Sequence, residues 1–176
     1  MASSSFNLDD LTPDGVESWN DLFPFPSYRK KQRQTMIAVI QALHDPNIDN
    51  VIVDAPTGIG KSAINVAASR SFDKSFYITP QKSLRNQLAE DDDLREHLNM
   101  LKSRRDYTCG VTNNNCSDCM VRSSTEESCS EKLDCTYWNR KMSAIESTSA
   151  VITFAMLIVD NYMPHRSIET DAIISF

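Results

Sequence analysis

The sequence predicts an α/β protein built on a parallel sheet, and three observations carry that prediction. Short apolar, β-branched runs alternate along the chain with segments whose apolar residues recur at three- and four-residue spacing. A glycine-containing turn joins the first such run to the helical segment after it. The balance of 40% hydrophobic and 24% charged residues over 176 residues is that of an ordinary globular domain with a real core.

Met1 to Pro26 is rich in Ser, Asp and Pro and predicts a lead-in with little regular structure, its aromatics Trp19, Phe23 and Phe25 free to pack on the domain. Met36, Ile37, Ile40 and Leu43 form one apolar stripe, which predicts a helix over Lys30 to Leu43, ended by Asp45-Pro46-Asn47. Val51-Ile52-Val53 reads as a strand buried on both faces. A helix from Lys61 to Arg70, a strand from Ser75 to Thr79 and a mostly helical stretch from Lys82 to Leu98 follow. From Asp106 to Cys135 no apolar period survives, so order there needs a source other than burial. A helix around Tyr137 to Ile145, a strand over Ala150 to Phe154 and a short apolar helix to Val159 resume the pattern. Ala172 to Phe176 reads as a further buried strand.

The net charge of −6 argues against a small basic DNA-coating protein, although a local basic track still suffices to hold phosphates. No apolar run reaches the roughly 18 residues that span a bilayer. Met1 to Asp10 lack the layout of a secretion signal. The expected location is therefore intracellular, cytoplasmic or at the nucleoid or nucleus, with no membrane partner. In that reducing setting the five cysteines, an odd count, are poor candidates for disulfides.

Asp54-Ala55-Pro56-Thr57-Gly58-Ile59-Gly60-Lys61-Ser62 lies between the first apolar run and its helix. It matches the phosphate-loop pattern, with Ala55 in place of the leading glycine. Gly58 and Gly60 permit backbone angles that let the loop aim N–H groups at phosphate oxygens. The helix that follows adds its positive dipole end. Lys61 is placed to reach the β- and γ-phosphates of ATP, and Ser62 to offer a hydroxyl to Mg²⁺. The plain alternative is a glycine turn before a helix that happens to begin Lys-Ser.

Ala-Pro-Thr-Gly-x-Gly-Lys-Ser resembles motif I of the superfamily 2 helicases. Tyr28-Arg29-Lys30-Lys31-Gln32 resembles that family's adenine-side motif, which implies that Gln32 hydrogen-bonds the adenine and Arg29 supports its pocket. Tyr77-Ile78-Thr79-Pro80-Gln81-Lys82-Ser83-Leu84, with Gln87 beyond, resembles motif Ia, whose strand end and helix start touch the DNA backbone. The resemblance implies that Thr79, Pro80, Gln81 and Gln87 bind DNA, Thr79 through its hydroxyl and the helix through its free N–H groups. A solvated basic helix start and an ordinary strand-to-helix turn are the plain alternatives.

Cys109, Cys116, Cys119, Cys129 and Cys135 cluster between positions 109 and 135. Four thiolates meeting at one point hold either a structural zinc or an iron–sulfur cluster, and metal supplies order that this polar stretch lacks. None of the three histidines lies inside the segment. Asp106-Tyr107-Thr108-Cys109 opens it and Cys135-Thr136-Tyr137-Trp138 closes it. That frame resembles the insert of the XPD- and DinG-like helicases, which lies between motifs Ia and II and holds a [4Fe–4S] cluster. The resemblance covers roughly Tyr28 to Phe176. It implies Cys109, Cys119, Cys129 and Cys135 as ligands, with Cys116 as the alternative to Cys119, and zinc as the alternative metal. Lys102, Arg104 and Arg105 are candidates to line a DNA path beside the cluster, or form a solvated basic turn.

The expected organisation is thus a lead-in (1–26), the first part of a RecA-like ATP-binding domain (27–105), the cluster insert (106–136) and a continuation of the same domain (137–176). The family's Asp-Glu-Ala-His motif is due after a strand such as Asp171 to Phe176, where the residues given stop, so the expectation is an incomplete fragment. The expected function is ATP hydrolysis coupled to 5′–3′ movement along single-stranded or forked DNA. A non-catalytic, metal-bearing DNA- or protein-binding module with an idle phosphate loop is the rival, and a small phosphate-loop kinase, which has no use for the insert, a more distant one.

Overall fold

The computed structural model describes residues 12–110, 113–118, 135–161 and 170–175. Seven α-helices are among them: α1 (Trp19–Leu22), α2 (Gln32–Leu43), α3 (Lys61–Arg70), α4 (Lys82–Glu90), α5 (Asp92–Arg95), α6 (Thr136–Glu146) and α7 (Phe154–Asn161). The strands are β1 (Ser75–Thr79), β2 (Asn99–Met100), β3 (Ser149–Thr153) and β4 (Ala172–Ser175). They form one four-stranded sheet in the order β2-β3-β1-β4, and every pairing is parallel. The protein is an α/β protein, as the alternation of elements predicts.

Strand alternation sends neighbouring side chains to opposite faces and so divides the core. Tyr77, Val151 and Ile174 point toward Met36, Ile37 and Ile40 of α2 and the small residues Ala63, Ala67 and Ala68 of α3. Phe76, Ile78, Ala150 and Ile152 point the other way, toward Ala144 of α6 and Met156 and Leu157 of α7. With both faces covered, β1 and β3 are buried along their whole length, which is why their centres, Phe76–Ile78 and Ala150–Ile152, read as unbroken apolar runs. The lead-in joins the first face: Trp19, Leu22 and Phe23 are buried, and Phe23 stacks on Tyr28 with ring centroids 4.1 Å apart. Arg70 ties this segment to α3 by donating to the Leu22 carbonyl at 2.8 Å.

Three expectations need correction. Val51–Val53 is not a strand: among the described residues it has no sheet partner, Ile52 is 94% exposed and Val53 is 42% exposed. β-branched residues fit a pleated surface, but they form a strand only where a partner's backbone is available. The strand at Ala172–Ser175 is buried on one side only, with Ile174 inside and Ile173 51% exposed. The helical stretch after Lys82 breaks at Asp91, whose carboxylate accepts from the Leu94 N–H at 3.1 Å and starts a new helix, and Asn99–Met100 adds a short edge strand. Among the described residues no helix is long and apolar enough to cross a membrane.

Candidate phosphate loop and insert root

The link over residues 71–74 turns the chain directly from α3 into β1, and α3 packs on both β1 and β4. α3 therefore runs back against the strands, and its N-terminus lies at their carboxyl end, where ligands of parallel sheets sit. Gly58 and Gly60 both hold φ +86°, a left-handed angle that other residues resist. Gly60 is the N-cap and offers α3 no side-chain cap. Ala63 and Ile64 are the first amides to bond back, both to the Gly60 carbonyl, so the Lys61 and Ser62 N–H groups lack intrahelical acceptors. Ala55 is buried, Pro56 and Thr57 are exposed, and Ile59, Lys61 and Ser62 are half-buried. The loop is curved by its two glycines, and the helix start has no side-chain cap.

One side chain behind the loop had a role that was not legible in the sequence. Tyr77 is fully buried, and burial pushes its hydroxyl up to about 12, while hydrogen bonds with the side chains of Asn65 and Ser62 pull the other way. The neutral phenol thus holds the Ser62 hydroxyl at the helix start. Only the packing of α3 on β1 reveals this; residue spacing does not. On the other side of the loop, Arg29 Nη1 donates to the Gly58 carbonyl at 2.9 Å and Gln32 Nε2 donates to the Gly60 carbonyl at 3.2 Å. The two residues singled out for the adenine are therefore brought to the phosphate loop.

At the end of β1, Thr79 is fully buried, and its hydroxyl finds no hydrogen-bond partner among the described residues. Pro80, Gln81, Lys82 and Ser83 are exposed at that turn, and Gln87 is exposed further along α4. Gln81 is the extended N-cap of α4, without a side-chain cap.

α4 also carries the root of the cysteine segment. Arg85 is buried and faces the Asp106 carboxylate at 3.5 Å, and Lys82 approaches the same group at 3.6 Å. That carboxylate closes a capping box with Ser103 over the turn Arg104–Asp106. Partial burial pushes the Asp106 carboxyl up, but the Ser103 hydroxyl, Lys82 and Arg85 outweigh it and hold it below its ordinary value. Tyr107 meets Tyr137 edge to face at 5.7 Å, and the Arg104 guanidinium lies 4.9 Å over the Tyr137 ring, so the two ends of the segment meet at one point. Lys102 and Arg105 are exposed.

Thr108 bridges Asn115 in antiparallel fashion, and the Cys116 N–H donates to the Tyr107 carbonyl at 3.0 Å, placing Cys109 and Cys116 on one tight hairpin. Cys116 is buried, whereas Cys109 and Cys135 are partly exposed. Cys135 caps α6, its sulfur accepting from the Trp138 N–H at 3.4 Å. Cys119 and Cys129 lie outside the described residues. Among the described residues no group of three or more His, Cys, Asp or Glu side chains is gathered for a metal ion. A cleft of about 630 Å³ opens beside β2, lined in part by Lys102, Tyr107 and Arg140, away from the phosphate loop.

Fold and site together define an α/β protein with an all-parallel sheet, a glycine-curved loop at a helix start and a cysteine-bearing excursion rooted on the next helix. Comparison with family models, with characterised proteins and with solved structures returns no significant match.

Proposed function

We propose that this chain binds the polyphosphate of ATP at Asp54–Ser62 and forms part of the RecA-like first motor domain of an iron–sulfur DNA helicase. The carrying observation is the loop itself: two glycines at φ +86° immediately before an uncapped helix that starts at Lys61, at the carboxyl end of a parallel sheet. Backbone amides of the loop and of Lys61 and Ser62 bind phosphate oxygens, and the Lys61 ammonium neutralises their charge. Ser62 turns its hydroxyl from Tyr77 to the Mg²⁺ that accompanies ATP. Pro80, Gln81 and Gln87 form the DNA-facing turn. Cys109 and Cys135, at the converging ends of the insert, hold the cluster together with Cys129 and either Cys119 or Cys116; bound there, a cluster supplies a rigid fold for the insert.

The test is Mg²⁺-dependent ATP binding by this chain, and DNA-stimulated ATP hydrolysis in any longer form. Lys61→Ala is expected to abolish both. Survival of either in Lys61→Ala would overturn the mechanism. The Val51–Val53 entry, with Ile52 and Val53 exposed and no sheet partner among the described residues, favours one rival, a metal-bearing binding module whose loop is idle. A well-folded sample that ignores ATP with Mg²⁺ present would establish that rival.

A further inference from the structure

Val51–Val53 leads into the phosphate loop without a sheet partner among the described residues, so on that side the sheet does not fix the loop. The start of α2 does. Arg29 and Gln32 hold the carbonyls of Gly58 and Gly60, at 2.9 Å and 3.2 Å. The other end of the Gln32 amide is also committed: its Oε1 accepts from the Arg29 backbone N–H at 2.9 Å. Gln32 is only 2% exposed. Between the two residues Lys31 takes a left-handed φ of 66°, which turns the chain so that both side chains reach the loop. A Cβ at Gly60 would overlap the Gln32 amide and push it off the Gly60 carbonyl, and the backbone angle there favours glycine as well.

We infer that Gln32 and Arg29 are positioning residues that set the curvature of the phosphate loop, and that Gln32 does not read the base. This rests on the nucleotide-binding proposal and deepens it, because it names the ligand class: nucleoside triphosphates recognised through their phosphates. A purine reaches the Gln32 amide only by displacing the Gly60 carbonyl or the Arg29 backbone. Selectivity for adenine over guanine then has no source in this residue.

The experiment titrates the 176-residue chain with ATP, GTP and inorganic tripolyphosphate in Mg²⁺, and follows amide hydrogen exchange at Gly58–Ser62 without ligand. Gln32→Ala is compared with Arg29→Met, an exposed position whose substitution spares the core. Both variants are expected to weaken all three ligands alike, by roughly five- to tenfold, the factor of one lost hydrogen bond. Both are expected to speed exchange in the free loop. A loss confined to ATP, with tripolyphosphate binding unchanged, would show that Gln32 reads the base and would overturn the inference. Unchanged exchange in both variants, with ligand binding intact, overturns the positioning role alone. A folded wild-type chain that binds none of the three ligands sinks the nucleotide proposal instead, whatever the exchange shows.

Discussion

Arg85 and Asp106 show how unevenly the two partners of an ion pair bear on stability. The Arg85 side chain is 4% exposed, against 30% for Asp106. Nε and Nη1 of Arg85 have no hydrogen-bond partner among the described residues. Replacing an incompletely bonded buried cation with an apolar side chain of similar volume is often neutral or stabilising, whereas removing its anion strands the charge. Arg85→Met is therefore expected to change the free energy of unfolding little. Asp106→Asn is expected to cost about 1–3 kcal/mol in urea unfolding. Equal losses in the two variants would contradict this account. The sign with pH follows from the depressed carboxyl of Asp106. Its contribution is fully present above the ordinary value of 3.8 and is lost as pH falls through the lower folded value. Below about pH 4 the wild type should therefore lose stability more steeply than Asp106→Asn. Nothing in the sequence announced this pair: arginine and aspartate are commonplace, and only the return of the chain from β2 to the α4 surface joins them.

Among the elements, those that bury a face or follow a helical period were legible. α2, α3, β1 and β3 fall within a few residues of where apolar spacing puts them, because burial on a sheet or helix face is what the spacing encodes. Val51–Val53 shows the limit of that logic. Its composition equals that of a central strand, yet strand formation depends on a neighbour whose presence no local run of residues encodes. The consequence is measurable. With Ile52 at 94% exposure, Ile52→Ser is expected to shift the free energy of unfolding by less than about 0.5 kcal/mol, as at other surface positions. A truncation in a packed core strand costs about 2–5 kcal/mol, and a loss of that size would restore the strand. β2 went unread for the opposite reason: Asn99–Met100 is too short to show any period. The candidate site divides in the same way. Glycines and the Lys-Ser start of a helix mark a loop from sequence, whereas Tyr77 behind Ser62, and the reach of Arg29 and Gln32 to the loop carbonyls, depend on packing between distant elements.

At the scale of the whole molecule, the sheet and the cysteine segment are separate structural problems. Among the described residues neither core cluster contains a cysteine, although Cys116 is buried, and the segment leaves the body where Tyr107 meets Tyr137. The body holds itself together by apolar burial; the segment is poor in apolar residues, and under the proposed function a metal would supply its order. Anaerobically purified protein is expected to be brown and to carry about four irons per chain, the content of one [4Fe–4S] cluster. Cys109→Ser and Cys135→Ser should each bleach it. Comparing Cys116→Ser with Cys119→Ser identifies the fourth sulfur, since only the ligand's loss removes the colour. Because the core lies apart, the bleached variants should keep the unfolding midpoint of the parent within a few degrees. A colourless protein carrying one zinc would replace the cluster with a structural metal and remove the main support for the iron–sulfur helicase group. If the midpoint collapsed on loss of the metal, the separation of body and insert would be wrong, and the cysteines would belong to the folding core.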